Sequence, residues 1–180
     1  SLSYSGDGLQ MARSGIVQYI AKVYDWCHDL ISEENKAFII KKSLAIATKL
    51  ECGWPPVKLS AFNSDHGSEG AIQVDMLSLA IAMYEDYPDI WNVSAGRFFA
   101  EYVAINNYYY DQSWWQAEGD SYGHSRYTYE AKSHAILDKL GISSLISPND
   151  QYLSYNLIYR RRPDGNFLQD GDIWDITFQN

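Results

Sequence analysis

The sequence predicts an all-α fold of antiparallel helical hairpins, and three observations carry that prediction. Apolar residues recur at three- and four-residue steps through most of the chain. Ser, Asp, Gly and Pro punctuate these runs where helix caps and short connections would fall. Helix–turn–helix pairs follow one another at intervals of roughly forty to fifty residues, as in arrays of helical hairpins, with no fixed-length sequence repeat. At 180 residues and 46% hydrophobic, the chain has apolar material for one sizeable core.

Gly6 or Asp7 opens the first helical pattern, in which Met11, Ile16, Val17, Ile20, Val23, Tyr24 and Cys27 form the apolar stripe, ending near Leu30 and Ile31. Ser32, followed by Glu33 and Glu34, caps a second helix carrying Phe38, Ile39, Leu44, Ile46 and Leu50 and closed by Gly53. The connection is short, so the pair is antiparallel. Trp54-Pro55-Pro56 stops that helix, and a long irregular segment runs to His66. A strongly apolar helix then spans about Ala71 to Tyr84, and could begin as early as His66. Beyond Tyr87-Pro88-Asp89, Ile90, Trp91, Val93, Phe98, Phe99, Tyr102, Val103 and Ile105 repeat with helical period, and Asn106 to Asp111 end that helix in aromatics. Asp120 or Ser121 caps a helix running to Leu140 and Gly141. Asn149 or Asp150 starts a short helix through Tyr152, Leu153 and Leu157. Pro163-Asp164-Gly165-Asn166 is a turn, and the tail after it reads as extended rather than helical. Loops gather at one end of such an array.

Composition narrows the partners. Six Trp and fifteen Tyr exceed what a core of this size needs. Amphipathic aromatics lie flat on sugar rings while bonding at their edges, so carbohydrate is a reasonable ligand class; filling wide gaps between helices is the alternative. A net charge of -9 with no basic stripe opposes nucleic acid. No run approaches the roughly eighteen apolar residues of a membrane span. Cys27 and Cys52 fall near the ends of successive helices, at opposite ends of an antiparallel pair, and are expected to be free thiols. His28, His66, His124 and His134 have no partner at a metal-ligand spacing, so no metal or other cofactor is expected in this chain. Neither a dinucleotide-binding turn nor a nucleophilic serine elbow is present.

What remains is acid–base chemistry, concentrated in Glu118-Gly119-Asp120-Ser121-Tyr122-Gly123-His124-Ser125-Arg126. Tyr122 and Arg126 sit four apart at a helix start, where a guanidinium lowers the cost of a nearby phenolate; a packed ring beside a salt-bridged neighbour is the plainer reading. Before the apolar helix, Asn63-Ser64-Asp65-His66-Gly67-Ser68-Glu69-Gly70 sets His66 and Glu69 three apart. Alternatively Asp65 is an N-cap and Glu69 a first-turn carboxylate. Laid side by side, the hairpins would let both helix mouths converge. Tyr110, Trp114 and Trp115 lead into the Tyr122 stretch, either as the lining of a sugar groove or as an aromatic plug between helices.

His66-Gly67-Ser68-Glu69-Gly70, the spacing to Gly119-Asp120-Ser121-Tyr122-Gly123 and Arg126, and Arg162-Pro163-Asp164-Gly165 with Gly171-Asp172 together resemble the heparinase II/III family of polysaccharide lyases, closest to its heparinase II-like branch. Tyr24-Asp25-Trp26 through Leu30, and Gly96-Arg97-Phe98-Phe99, resemble further family helices, so the likeness covers most of the chain. It implies that residues 1–180 form part of an incomplete (α/α) toroid, whose family partner, a β-sheet domain with a further catalytic histidine and a structural metal site, is not in this chain. The fragment alone would then be weakly active or inactive. The resemblance implies β-elimination on an acidic, uronate-containing polysaccharide, in the periplasm or outside the cell. Tyr122 would be proton donor and, for one epimer, base. His66 and Glu69 would neutralise the uronate carboxylate, and Arg126 would hold Tyr122 and substrate. Asn63, Asp65 and Asp120, with the aromatics Tyr110, Trp114 and Trp115, would contact the chain of sugars. Gln116-Ala117-Glu118 departs from the family's His-Gln-like approach. Two other readings stay open: an α/α-toroid glycoside hydrolase with Glu69 and Asp120 as paired carboxylates, and a non-catalytic glycan-binding module.

Overall fold

A computed structural model describes residues 7–48, 50, 67–112, 120–166 and 168. They are mostly helical, and no strand occurs among them. The described residues hold seven α-helices, in order α1 (Asp7–Trp26), α2 (Glu33–Ala47), α3 (Gly67–Ala82), α4 (Ile90–Arg97), α5 (Val103–Gln112), α6 (Asp120–Lys139) and α7 (Leu153–Tyr159). The chain divides into two compact units, one from the described residues of Ser1–Asn63 and Ala71–Glu101, the other from those of Ser64–Gly70 and Tyr102–Asn180.

In the first unit, α1 packs on α2 and α2 on α4. The α1–α2 connection contains a 3₁₀ turn, His28–Leu30, so α1 itself stops at Trp26, one turn earlier than its periodicity predicts. Ser32 caps α2 as expected: its Oγ accepts from the Asn35 N–H at 3.4 Å. α2 ends at Ala47, before the expected Gly53, with Thr48 as its C-cap: the Thr48 N–H at 3.0 Å and hydroxyl at 2.8 Å both donate to the Leu44 carbonyl, and the Leu50 N–H then takes the Ala47 carbonyl at 3.1 Å. Val17, Ala21, Tyr24, Ala47, Leu50, Met76, Leu79, Met83 and Ile90 form the core of this unit. Ile16 and Val23, assigned by periodicity to the same stripe, are instead exposed. The reason is geometric: α1 is apolar on two faces, and the core uses only the face through Ser14, Val17, Ala21 and Tyr24.

The helix predicted from Ile90 onward is interrupted. Phe98–Tyr102 form a π turn between α4 and α5, an extra residue that rotates the register of the apolar stripe. In the second unit, α5 packs on the 3₁₀ segment Pro148–Tyr152, which also meets α7, and α6 packs on α7 and on the 3₁₀ turn Ser143–Leu145. The end of α6 is a Schellman motif: Ile142 N–H bonds the Leu137 carbonyl and Gly141 N–H that of Asp138, both at 3.0 Å. Gly141 holds φ +74°, which a side chain would resist. The turn at Pro163–Asn166 closes through Arg162 N–H to the Asn166 carbonyl at 2.7 Å, with Gly165 at φ +85°. No described helix is long and apolar enough to cross a membrane.

Candidate functional site

The sequence singles out two helix starts, and the backbone supplies both. α6 begins at Asp120, which places Tyr122 in its first turn and Arg126 one turn on, along the same face. α3 begins at Gly67, with Glu69 in its first turn. The α3 residues 67–70 group with α5, α6 and α7, so Glu69, Asp120, Tyr122 and Arg126 belong to one unit. At both starts the first backbone N–H groups have no partner within the helix and the dipole is positive, which favours anionic groups. His66, Asn63, Asp65, Trp114, Trp115 and Cys52 lie outside the described residues. Cys27 is a free thiol.

Tyr110 is the one aromatic of the proposed approach whose side chain is described, and it is 3% exposed. Val103, Asn106 and Tyr110 form the buried stripe of α5, so its ring points inward. Its hydroxyl donates to Glu130 Oε2 at 2.5 Å, and the ring sits edge-on to His134 with centroids 6.0 Å apart. That placement makes it part of the support beneath α6 rather than an open sugar platform.

Two proton-sharing clusters emerge that sequence reasoning does not single out. In the first unit, Tyr24 and His28, four residues apart, converge on a single oxygen of Asp86. The Tyr24 hydroxyl donates to Oδ2 at 2.5 Å and His28 Nε2 lies 2.8 Å from the same atom. Burial, then the bond to Asp86, raises the Tyr24 pKa well above its ordinary value. The bonds from Tyr24 and then His28 hold the Asp86 carboxyl below the usual carboxylate range, and the bond to Asp86 raises His28. This cluster is tied to the core, since Tyr24 is fully buried. Asp86→Ala would leave the Tyr24 hydroxyl without its acceptor, and a loss of about 1–3 kcal/mol in unfolding free energy is expected, measurable by denaturant titration.

In the second unit, His134 Nδ1 lies 2.8 Å from Asp150 Oδ2 at the wall of a cleft of about 710 Å³ also lined by Asp138, Ser143, Ser147 and Pro148. With Asp150 Oδ2 accepting from Nδ1–H, the buried Nε2 has no hydrogen-bond partner among the described residues. Burial lowers the His134 pKa, outweighing the attraction of Asp150. The floor of this region is held by Ser147, whose hydroxyl donates to Asp111 Oδ1 at 2.5 Å and whose N–H donates to Asn107 Oδ1 at 2.7 Å.

The two histidines respond to pH in opposite senses. His28, raised in the folded state, adds stability that is complete below its unfolded value near 6.5 and fades as pH rises through its folded value. Asp86, lowered, adds stability that is present above about 3.8 and is lost as pH falls through its folded value. His134, lowered, opposes folding below about 6.5, where only the unfolded chain takes up the proton. On going from about pH 8 to about pH 5.5, His28→Gln should therefore lose stability relative to the parent, and His134→Gln should gain. Unfolding curves at the two pH values read the sign directly.

The signal for the first cluster was available in part: Tyr24 and His28 share a helical face. Asp86 is 58 residues from His28 and nothing local marks it as their acceptor. Among the described residues no group of three or more His, Cys, Asp or Glu is arranged to hold a metal ion. No protein-family model matches the chain, and no curated protein sequence matches it.

Proposed function

We propose that this chain is part of the catalytic (α/α) toroid of a polysaccharide lyase that cleaves uronate-containing polymer by β-elimination. Abstraction of the C5 proton beside a carboxylate builds enolate charge, so the carboxylate must first be neutralised. His66 and Glu69, the latter taking up a proton as the substrate binds, serve that end at the mouth of α3, where the positive end of the helix dipole also favours the uronate carboxylate. A base must take C5-H while an acid protonates the leaving O4. Tyr122 serves as the acid, and for one epimer as the base too, with Arg126 one turn along stabilising its phenolate.

The observation that supports this reading is the joint placement of Tyr122 and Arg126 on one face of the start of α6, in the same unit as the first turn of α3 that carries Glu69. A groove fed by the aromatics Trp114 and Trp115 suits a chain of sugars. Such a polymer does not enter cells intact, which goes with a periplasmic or secreted location.

The test is ultraviolet absorbance of the unsaturated uronate product when the parent protein that carries this segment together with the implied sheet domain is incubated with a panel of uronic-acid polysaccharides. A rise with one polymer supports elimination and names the substrate. New reducing ends without absorbance would replace the reading with hydrolysis by paired carboxylates such as Glu69 and Asp120. Binding without either signal would replace it with a glycan-binding module.

A further inference from the structure

Beyond the positive-φ turn at Gly141 the chain returns past α6 as a strap built on two short 3₁₀ turns, Ser143–Leu145 and Pro148–Tyr152. Turns this short do not persist alone, so side chains must hold the strap in place. Asn107 and Asp111, one turn apart on α5, hold its middle. Asn107 donates from Nδ2 to the Leu145 carbonyl and accepts the Ser147 N–H, both at 2.7 Å. Asp111 Oδ1 accepts from the Ser147 hydroxyl and from Asn149 Nδ2. Toward α6 the tie is Asp150, bonded to His134 Nδ1. The cleft of about 710 Å³ lies between, with His134, Ala135 and Asp138 of α6 on one wall and the strap on the other. Little apolar burial opposes separation: Ile146 is 8% exposed, but Leu145 is 43% exposed.

We propose that this strap is a pH-operated latch over the cleft: when His134 takes up a proton on acidification, the strap comes off α6, with its bonds to Asn107 and Asp111 on α5 as the hinge. Protonated imidazole carries an N–H on both nitrogens. Asp150 accepts one of them, whereas the new one at Nε2 is buried without an acceptor. Opening gives both to water. The other groups around the ring do not reverse this. From α5 it meets Tyr110, edge-on at 6.0 Å, whose hydroxyl is given to Glu130, one turn before His134 on α6. Asp138 lies one turn after it. The α7 tyrosines Tyr155 and Tyr159 are turned to solvent, and neither they nor Arg160 beyond them shifts the His134 titration. Asp150 is the charge that favours the proton, and burial outweighs it.

Hydrogen exchange of the whole chain, read by mass spectrometry and corrected for the intrinsic rate at each pH, tests the latch. A ring with an ordinary pKa near 6.5 when open, and unprotonated when latched, raises the open population by up to about tenfold between about pH 8 and about pH 5.5. The amides of Leu145, Ile146 and Asp150, which close the strap's turns, should lose protection by that factor, while the α6 amides from Glu130 to Leu137 keep theirs. His134→Gln, neutral at both pH values, should abolish the acid-induced change. Asp150→Ala should open the strap at about pH 8 already. Strap protection that is the same at both pH values, or an equal loss along α6, would overturn the inference without any variant. So would an acid-induced change that survives His134→Gln, or an Asp150→Ala strap as protected as that of the unsubstituted protein.

Discussion

Replacing Tyr122 with Phe is expected to lower the initial rate of unsaturated product formation by about 10²–10⁴-fold, the range over which a positioned proton donor contributes. The substitution removes one oxygen and keeps the ring, and Phe and Tyr have nearly equal helix propensity, so the start of α6 should persist. The loss should fall on kcat with little change in KM, because the phenol acts on O4 as the bond breaks rather than on the ground state. Arg126→Gln gives the complementary result. Without the guanidinium the phenolate costs more, so the low-pH limb, along which the rate rises as the base ionises, should move to higher pH for the epimer that uses Tyr122 as base. Helix α6 retained by circular dichroism with full activity in Tyr122→Phe would remove Tyr122 from the reaction. An inactive Tyr122→Phe that still binds the polymer would support its role as the proton donor.

Features written in a few adjacent residues were the ones legible in the sequence. Ser32 before two glutamates marked a cap that the structure contains, and Gly141 marked the end of a periodic run, where the structure holds it at positive φ. Pro163-Asp164-Gly165 marked its turn for the same reason, since each residue there satisfies a local backbone demand. The failures came where tertiary context chooses between locally equal options. Ile16 and Val17 are both apolar and adjacent, and only the packing of α2 and α3 determines which one enters the core. The π turn at Phe98–Tyr102 has no residue signature, because inserting one residue in an apolar run leaves the run apolar. Tyr110 was read among the groove aromatics, but its fate depends on Glu130 and His134, which lie a helix away. For the candidate site the legible part was the pair of helix starts, given by Gly and Asp punctuation. The acceptor Asp86 and the dyad of His134 with Asp150 required the fold.

Leu79→Ala should destabilise the first unit by about 2–5 kcal/mol. Leu79 is fully buried in the cluster with Val17, Ala21, Tyr24, Met76, Met83 and Ile90, contributed by α1, α3 and the start of α4. The loss combines the transfer free energy of the removed methyl groups with a cavity that helices on several sides cannot all close. Against a total of about 5–15 kcal/mol for a domain, that is a large fraction, visible as a shift in the denaturant midpoint at nearly constant slope. Leu79→Met keeps the volume and should cost less than about 1.5 kcal/mol. Ile81→Ala, two residues on and exposed, should stay within about 0.5 kcal/mol. Because Tyr24 belongs to the same cluster and is held at its far end by Asp86, Leu79→Ala and Asp86→Ala should not add. Once the core around its ring has loosened, Tyr24 can turn its hydroxyl to water, and removing Asp86 then costs less. A double mutant whose loss equals the sum of the two singles would show instead that the hydroxyl is positioned from α1 alone, independently of the packing beneath it.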